Sequence, residues 1–353
     1  MRQKINSDAS NVVRRDNCFT LLRYLFFFCI LCNHFFVING AEETPFIGIY
    51  LVQGFFIISG VLVYNSYERS GSAKVFALKR FLRIYPAYFT VVLSGFIVMA
   101  FATKLPWNEY FTHRETWKYL FANLCFGNFL QPTLPGVFED NPLPWINSSL
   151  WTLKVEIMFY FTVPIVAWLV KKFGYKVVLI PIVAFSFLWD ISTMQLYALT
   201  EKKIFYDLNH QIFGELAYFY FPVLIYHYRD KILKSWLVLL AAAALLVLIS
   251  YVYQLRPLSC FALPLAVMFV AYRFTFLFKW SAVTDYNYEM YLVRFPTLQM
   301  LCLSSLPFTF GTFALGFVLI SMMAVPLHYV CDHFSYKKMY KRGALDRILK
   351  TRG

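Results

Sequence analysis

Apolar residues in this chain come in stretches of about twenty, separated by short polar or basic segments. Stretches of that length suit helices that cross a membrane, because roughly 30 Å of hydrocarbon needs about 20 residues at 1.5 Å each. Ten are read, at 18–38, 46–66, 84–103, 149–170, 177–197, 211–228, 235–253, 258–277, 286–304 and 308–330. They predict an all-α polytopic membrane protein, since a helix satisfies its own backbone where no water is at hand. Segment 119–134 is apolar but short and interrupted, which suits an interfacial or re-entrant piece. The expected organisation is a polar tail over 1–17, an embedded domain over 18–334 with one long outer loop at 104–148, and a basic tail over 335–353. No internal repeat, low-complexity segment or soluble domain is evident.

Composition agrees: 59% of residues are hydrophobic, 20% aromatic and only 15% charged. The net charge of +14 changes the picture only through its distribution. With the N-terminus in the cytoplasm, the inner side collects the basic residues before the first helix and Arg69, Lys74, Lys79, Arg80 and Arg83. Lys171, Lys172, Lys176, Arg229, Lys231, Lys234, Arg273, Lys279 and the basic tail fall on the same side. The outer side holds Lys104, Arg114, Lys118, Lys202, Lys203 and Arg256. This is the positive-inside asymmetry, so both termini are expected in the cytoplasm. The basic excess is then a topology signal and argues against nucleic-acid binding. The first helix is too long, and lacks the small-residue site, for a cleavable signal. Seven cysteines are scattered without metal-ligand spacing, and no metal is expected.

Ionisable residues inside such helices are expensive and mark candidate functional sites. Arg23 and His34 lie in the first stretch, eleven residues apart. Eleven steps of about 100° return the helix to within roughly 20° of its start, so both face one line, about 16 Å apart. Taken singly, Arg23 can snorkel to lipid phosphates and His34 can be an interior histidine with its own partner. Together they read as a catalytic pair, with His34 as general base. Lys79, Arg80 and Arg83, with Tyr85 and Tyr88 beside Pro86, form a basic loop before the third helix, either a topology anchor or a cradle for phosphates and an adenine ring.

Gly54 and Gly60 of the second helix suit close packing, and Ser59 between them can face a cavity. Glu156 lies several residues inside the fourth helix, below an interfacial Trp151, and needs a partner such as His34, Arg294 or a substrate hydroxyl. Near the ninth helix stand Asp285, Tyr288, Arg294 and Pro296; Asp285 suits an ion pair with Arg80 or Arg83, and Pro296 frees a backbone carbonyl. Tyr288, Trp151 and Arg294 are candidate acceptor-binding residues.

Read in order, Arg23-x10-His34, Gly54-Phe-Phe-x-x-Ser59-Gly60, Arg80-x-x-Arg83-Ile-x-Pro86 and Ser149-Leu-Trp-Thr-Leu-x-Val-Glu156-x-x-Phe-Tyr160 resemble the acyltransferase-3 family of integral-membrane O-acyltransferases. A weaker match, Asp285-x-x-Tyr288-x-x-Tyr291-Leu-x-Arg294-x-Pro296, follows in place. The resemblance implies transfer of an acyl group, most often acetyl from acetyl-CoA, to a sugar hydroxyl of a bacterial cell-surface polysaccharide or its lipid-linked precursor, at the inner membrane. It implies that Arg23 and His34 are the essential pair, that Arg80 and Arg83 lie on the donor side, and that Glu156 belongs to the embedded site; Lys79, Tyr85 and Ser59 are read from their positions as further donor-binding candidates. Where the family commonly has His, this chain has Arg294, and no soluble esterase-like domain follows the last helix. Direct transfer and an acyl-His34 intermediate are both open. A transporter or flippase using His34, Glu156 and Arg294 as a proton relay is the alternative, although the inverted repeats it favours are not seen.

Overall fold

The computed structural model describes residues 17–40, 45–274, 276, 285–304 and 306–341. The N-terminal tail before residue 17, Lys279 and the basic tail after 341 lie outside the described residues. In chain order the helices are α1 (Phe19–Ile38), α2 (Pro45–Glu68), α3 (Ala73–Val98), α4 (Trp107–Thr112), α5 (Arg114–Leu124), α6 (Trp151–Phe173), α7 (Tyr175–Thr200) and α8 (Lys203–Asn209). There follow α9 (Ile212–His227), α10 (Arg229–Ile232), α11 (Trp236–Tyr251), α12 (Ser259–Arg273), α13 (Asn287–Leu303), α14 (Phe310–His333) and α15 (Tyr336–Lys341). Among the described residues there is no strand. Each of the ten predicted stretches falls on an apolar helix. Seven of these are long and apolar enough to cross a membrane; α9, α11 and α13 are shorter, at 16, 16 and 17 residues. The chain is therefore an all-α, multi-pass membrane protein.

One boundary differs in a way that matters. The sequence pattern puts Lys79 to Tyr88 in a loop, with Pro86 opening the third spanning helix. Instead α3 starts at Ala73, where the Ser72 hydroxyl caps it by accepting from the Val75 N–H at 3.3 Å, and Pro86 lies inside the helix. Charged Lys79, Arg80 and Arg83 lower the local hydropathy. Phe76, Leu82, Ile84 and Tyr88 nevertheless keep a buried face. The arginines are thus held on a rigid helix, not a loop.

Segment 119–134 resolves into the end of amphipathic α5 and a short 3-10 turn. α5 buries Thr116, Tyr119, Leu120 and Asn123 while Trp117 and Phe121 stay exposed. The loop 104–148 is folded against the bundle: Asn123 Nδ2 donates to the carbonyls of Tyr119 and Gln131, and Asn141 and Gln299 join it to α13.

The buried apolar side chains form two clusters. One gathers residues of α2, α6, α7, α9 and α12; the other gathers residues of α1, α3, the 104–148 segment, α13 and α14. Small residues let the first close up. A Cβ on Gly60 would overlap the Phe219 carbonyl of α9, and one on Gly54 would strike the Phe26 ring of α1. Polar side chains of α1, α2, α3, α6 and α13 meet in the seam between the two clusters.

Candidate active site

α1 and α13 run parallel, in register. The Tyr286 N–H donates to the Tyr24 hydroxyl at 3.1 Å, the His34 ring meets the edge of Phe295 at 5.3 Å, and the Cys302 thiol approaches the Ile38 carbonyl at 3.5 Å. Arg23 and His34 therefore do share a face, the one turned to α13. Arg23 Nη1 donates to Asp285 Oδ2 at 2.7 Å. The sequence reading gave that carboxylate to Arg80 or Arg83; it goes to Arg23 because the parallel register puts the start of α13 beside the start of α1. Burial raises the Asp285 carboxyl, but Arg23, Asn287 and Arg83 outweigh it and hold the group below its ordinary range.

A cavity of about 160 Å³ lies in the seam. Its walls include Arg23, Ser59, Arg80, Arg83, Glu156 and Tyr288, all singled out from the sequence, together with Thr152, Tyr160 and Tyr291. Glu156 Oε1 accepts from the Tyr160 hydroxyl at 2.6 Å and from Ser59 Oγ at 3.4 Å. Its partners are thus a tyrosine one turn along its own helix and a serine across the seam, rather than His34 or Arg294. Arg80 donates from Nη2 to Ser66 Oγ at 2.9 Å, between the rings of Phe76 and Tyr160, each 5.8 Å away. Arg83 lies 3.9 Å from Glu289 and 5.9 Å from the Tyr288 ring. The Nε groups of Arg23 and Arg80 are buried without an acceptor. Buried N–H groups of this kind seek an anion.

A second cavity, of about 330 Å³, opens beyond Arg80 and Arg83 and adds Lys79, His328, Tyr336 and Lys337 to those two arginines. His328 Nδ1 pairs with Glu289 at 3.2 Å. Lys79 thus belongs to this outer basin: its Nζ donates to Ser70 Oγ at 3.3 Å and lies 5.2 Å from the Tyr336 ring.

Four singled-out residues stand elsewhere. Tyr85 stacks on Phe81 at 4.8 Å, on the opposite face of α3. Trp151 packs on the apolar cluster while its neighbour Thr152 lines the cavity. Arg294 is 1% exposed, one layer past the cavity's end. His34 lies in that layer too, outside the cavity wall, and its Nδ1 is buried without a partner. Sequence reasoning did not assign a role to Tyr160, Thr152 or Tyr291. Tyr160 had a signal, since a residue four after Glu156 shares its helix face.

Pro296 lies inside α13 and cannot donate to the Leu292 carbonyl; Asn147 Nδ2 takes that place at 2.8 Å. Beside it, Tyr291 OH and Thr152 Oγ1 both donate to the Ser149 carbonyl, and Arg294 Nε donates to Ser149 Oγ at 3.2 Å. The start of α6 is thereby clamped to the middle of α13. Among the described residues no His/Cys/Asp/Glu group is suited to hold a metal ion.

Comparison with known proteins adds the following. The profile of the acyltransferase-3 family, described as an acyltransferase domain, matches residues 16–331. An O-acetyl transferase of Shigella phage Sf6 is 25% identical over 94% of this chain and 96% of its own. Acyltransferase MdmB of Streptomyces mycarofaciens is 30% identical over 36% of this chain and 30% of its own length, and Nodulation protein 10 of Rhizobium leguminosarum bv. viciae is 34% identical over 31% and 30%. No solved structure matches the chain.

Proposed function

The chain belongs to the acyltransferase-3 family and is a membrane O-acyltransferase; from that premise we propose that it moves an acetyl group from cytosolic acetyl-CoA to a sugar hydroxyl of a bacterial cell-surface polysaccharide such as O-antigen, capsule or exopolysaccharide. Its place is the bacterial inner membrane, with the basic end of the bundle in the cytoplasm. The observation that carries the reading is the seam cavity, whose walls at the basic end are lined by Arg23, Arg80 and Arg83 and which also holds Ser59, Glu156 and Tyr160.

About 160 Å³ is too small for a whole coenzyme, since pockets for drug-sized ligands run to several hundred Å³. It suits the acyl-pantetheine arm. The outer basin shares Arg80 and Arg83 and suits the nucleotide end, with guanidinium groups on its phosphates and Lys79 at its rim. Ser59, Glu156 and Tyr160 offer a polar wall along the arm. The acceptor enters from the opposite end, beneath the 104–148 segment, where Trp151 and Arg294 are the candidate contacts; Tyr288, in the first turn of α13 beside Arg83, lies at the donor end instead.

In the reaction, the sugar oxygen adds to the thioester carbonyl while His34 takes the hydroxyl proton. The carbon–sulfur bond then breaks, and the departing thiolate recovers the proton from His34. The name of the full-length phage relative, an O-acetyl transferase, supports acetyl as the group moved.

The test is to express the wild type and His34→Ala and release ester-linked acyl groups from the surface glycan with mild alkali. The reading expects esters with the wild type and background with the variant. Equal ester levels in both would sink it.

A further inference from the structure

A guanidinium is buried in the layer past the cavity's end that His34 also occupies. Arg294 is 1% exposed, and no carboxylate among the described residues forms an ion pair with it. Its neighbours are neutral: Nε donates to Ser149 Oγ at 3.2 Å and the guanidinium carbon lies 4.3 Å above the Tyr291 ring. Nη1 is buried with no acceptor. A charge inside a membrane bundle without a counter-ion is strongly disfavoured, and side chains that persist there answer to function.

Position adds direction. Tyr291, on whose ring Arg294 sits, lines the end of the seam cavity. Phe295, the next residue in α13, carries the contact to His34, the ring centroids lying 5.3 Å apart. Arg294 thus lies past the cavity's end in the same layer as His34, with an Nη1–H that meets no acceptor.

We propose that Arg294 is the oxyanion-stabilising residue of the transfer, its Nη1–H receiving the charge that develops on the thioester carbonyl oxygen. The assignment rests on the acyl-transfer reading above. As the sugar oxygen bonds to the carbonyl carbon, the carbonyl electron pair moves to oxygen, facing Arg294, and the hydroxyl proton goes to His34. On collapse the electron pair returns, the carbon–sulfur bond breaks, and the thiolate takes the proton from His34. Ser149 and the Tyr291 ring hold the guanidinium in place before the charge appears, which is what makes such stabilisation effective.

The experiment uses the full chain in nanodiscs with acetyl-CoA as probe, reading free thiol released to water and, in membrane vesicles, label transferred from radioactive acetyl-CoA to alkali-labile glycan ester. Arg294→Gln is expected to lower kcat by about 10²–10³-fold while KM for acetyl-CoA stays within about threefold. Arg294→Lys should restore part of the rate, and Ser149→Ala should lower kcat about tenfold by loosening the guanidinium. The assignment is overturned if Arg294→Gln keeps kcat within threefold, or if KM rises while kcat holds, which makes Arg294 a binding residue. It is also overturned if Gln and Lys variants lose activity only in step with lost thermal stability. A wild type that neither cleaves nor transfers defeats the acyl-transfer reading itself, whereas an active wild type with an unaffected variant defeats only the role of Arg294.

Discussion

Arg23 Nη1 and Asp285 Oδ2 meet at 2.7 Å, joining the first turns of α1 and α13 at the basic end of the cavity. Arg23 therefore does two things: one nitrogen holds the helices in register while its Nε is buried without an acceptor. The two tasks are separable by experiment.

Asp285→Asn should reduce thermal stability. The side chains are 23% and 28% exposed, so the loss falls between the ~1 kcal/mol of a surface pair and the roughly 3–5 kcal/mol of a buried one. The folded carboxyl lies below its ordinary range. The pair's contribution is therefore complete above pH about 4, the unfolded value, and is lost as pH falls through the lower folded value. The double variant Arg23→Asp with Asp285→Arg should recover melting temperature, read by intrinsic fluorescence in detergent, without recovering acyl transfer. Recovery of both would show that Arg23 matters only as a strut.

Arg80→Gln and Arg83→Gln should raise KM for acetyl-CoA by about tenfold each, near the 1.5–3 kcal/mol of a hydrogen bond to a charged group, with smaller effects on kcat. Steady-state kinetics in nanodiscs decides it. A change confined to kcat for both variants would remove the phosphate role from this end of the cavity.

Tyr160→Phe deletes the 2.6 Å hydrogen bond to Glu156 and leaves a half-buried carboxylate with Ser59 as its remaining donor. Transfer should fall by about 10-fold, and Glu156→Gln, which keeps the shape but not the charge, should fall further. Activity in Glu156→Gln equal to the wild type would make this cluster a packing feature.

Asn147→Ala strands the Leu292 carbonyl that Pro296 leaves free. The loss should be about 1–3 kcal/mol of stability. Replacing Pro296 by Ala as well restores an N–H donor within α13, so the double variant should be more stable than Asn147→Ala alone. Thermal unfolding of the three proteins checks the order.

Much of this site was legible because helical geometry is local. The spacing of Arg23 and His34 put both on one face of α1, and the i, i+3 spacing of Arg80 and Arg83 put both on one wall of the cavity. The Gly54 and Gly60 positions marked where helices close up, which the overlaps with Phe26 and Phe219 bear out. The start of α3 was not legible, since three basic residues mask a buried face from a hydropathy pattern that sees no neighbours.

What the sequence by itself determined was the all-α membrane class, the placement of the apolar helices and the family, because each follows from length, periodicity and motif order along one chain. Which polar side chains meet was decided only by tertiary structure. Asp285 lies two hundred and more residues from Arg23, and only the parallel packing of α1 on α13 gives it that partner instead of Arg80 or Arg83. The same packing leaves His34 one layer beyond the cavity, with Arg294 in the same layer. No pattern within a single helix carries that information, because it depends on how helices far apart in sequence are rotated and registered against one another.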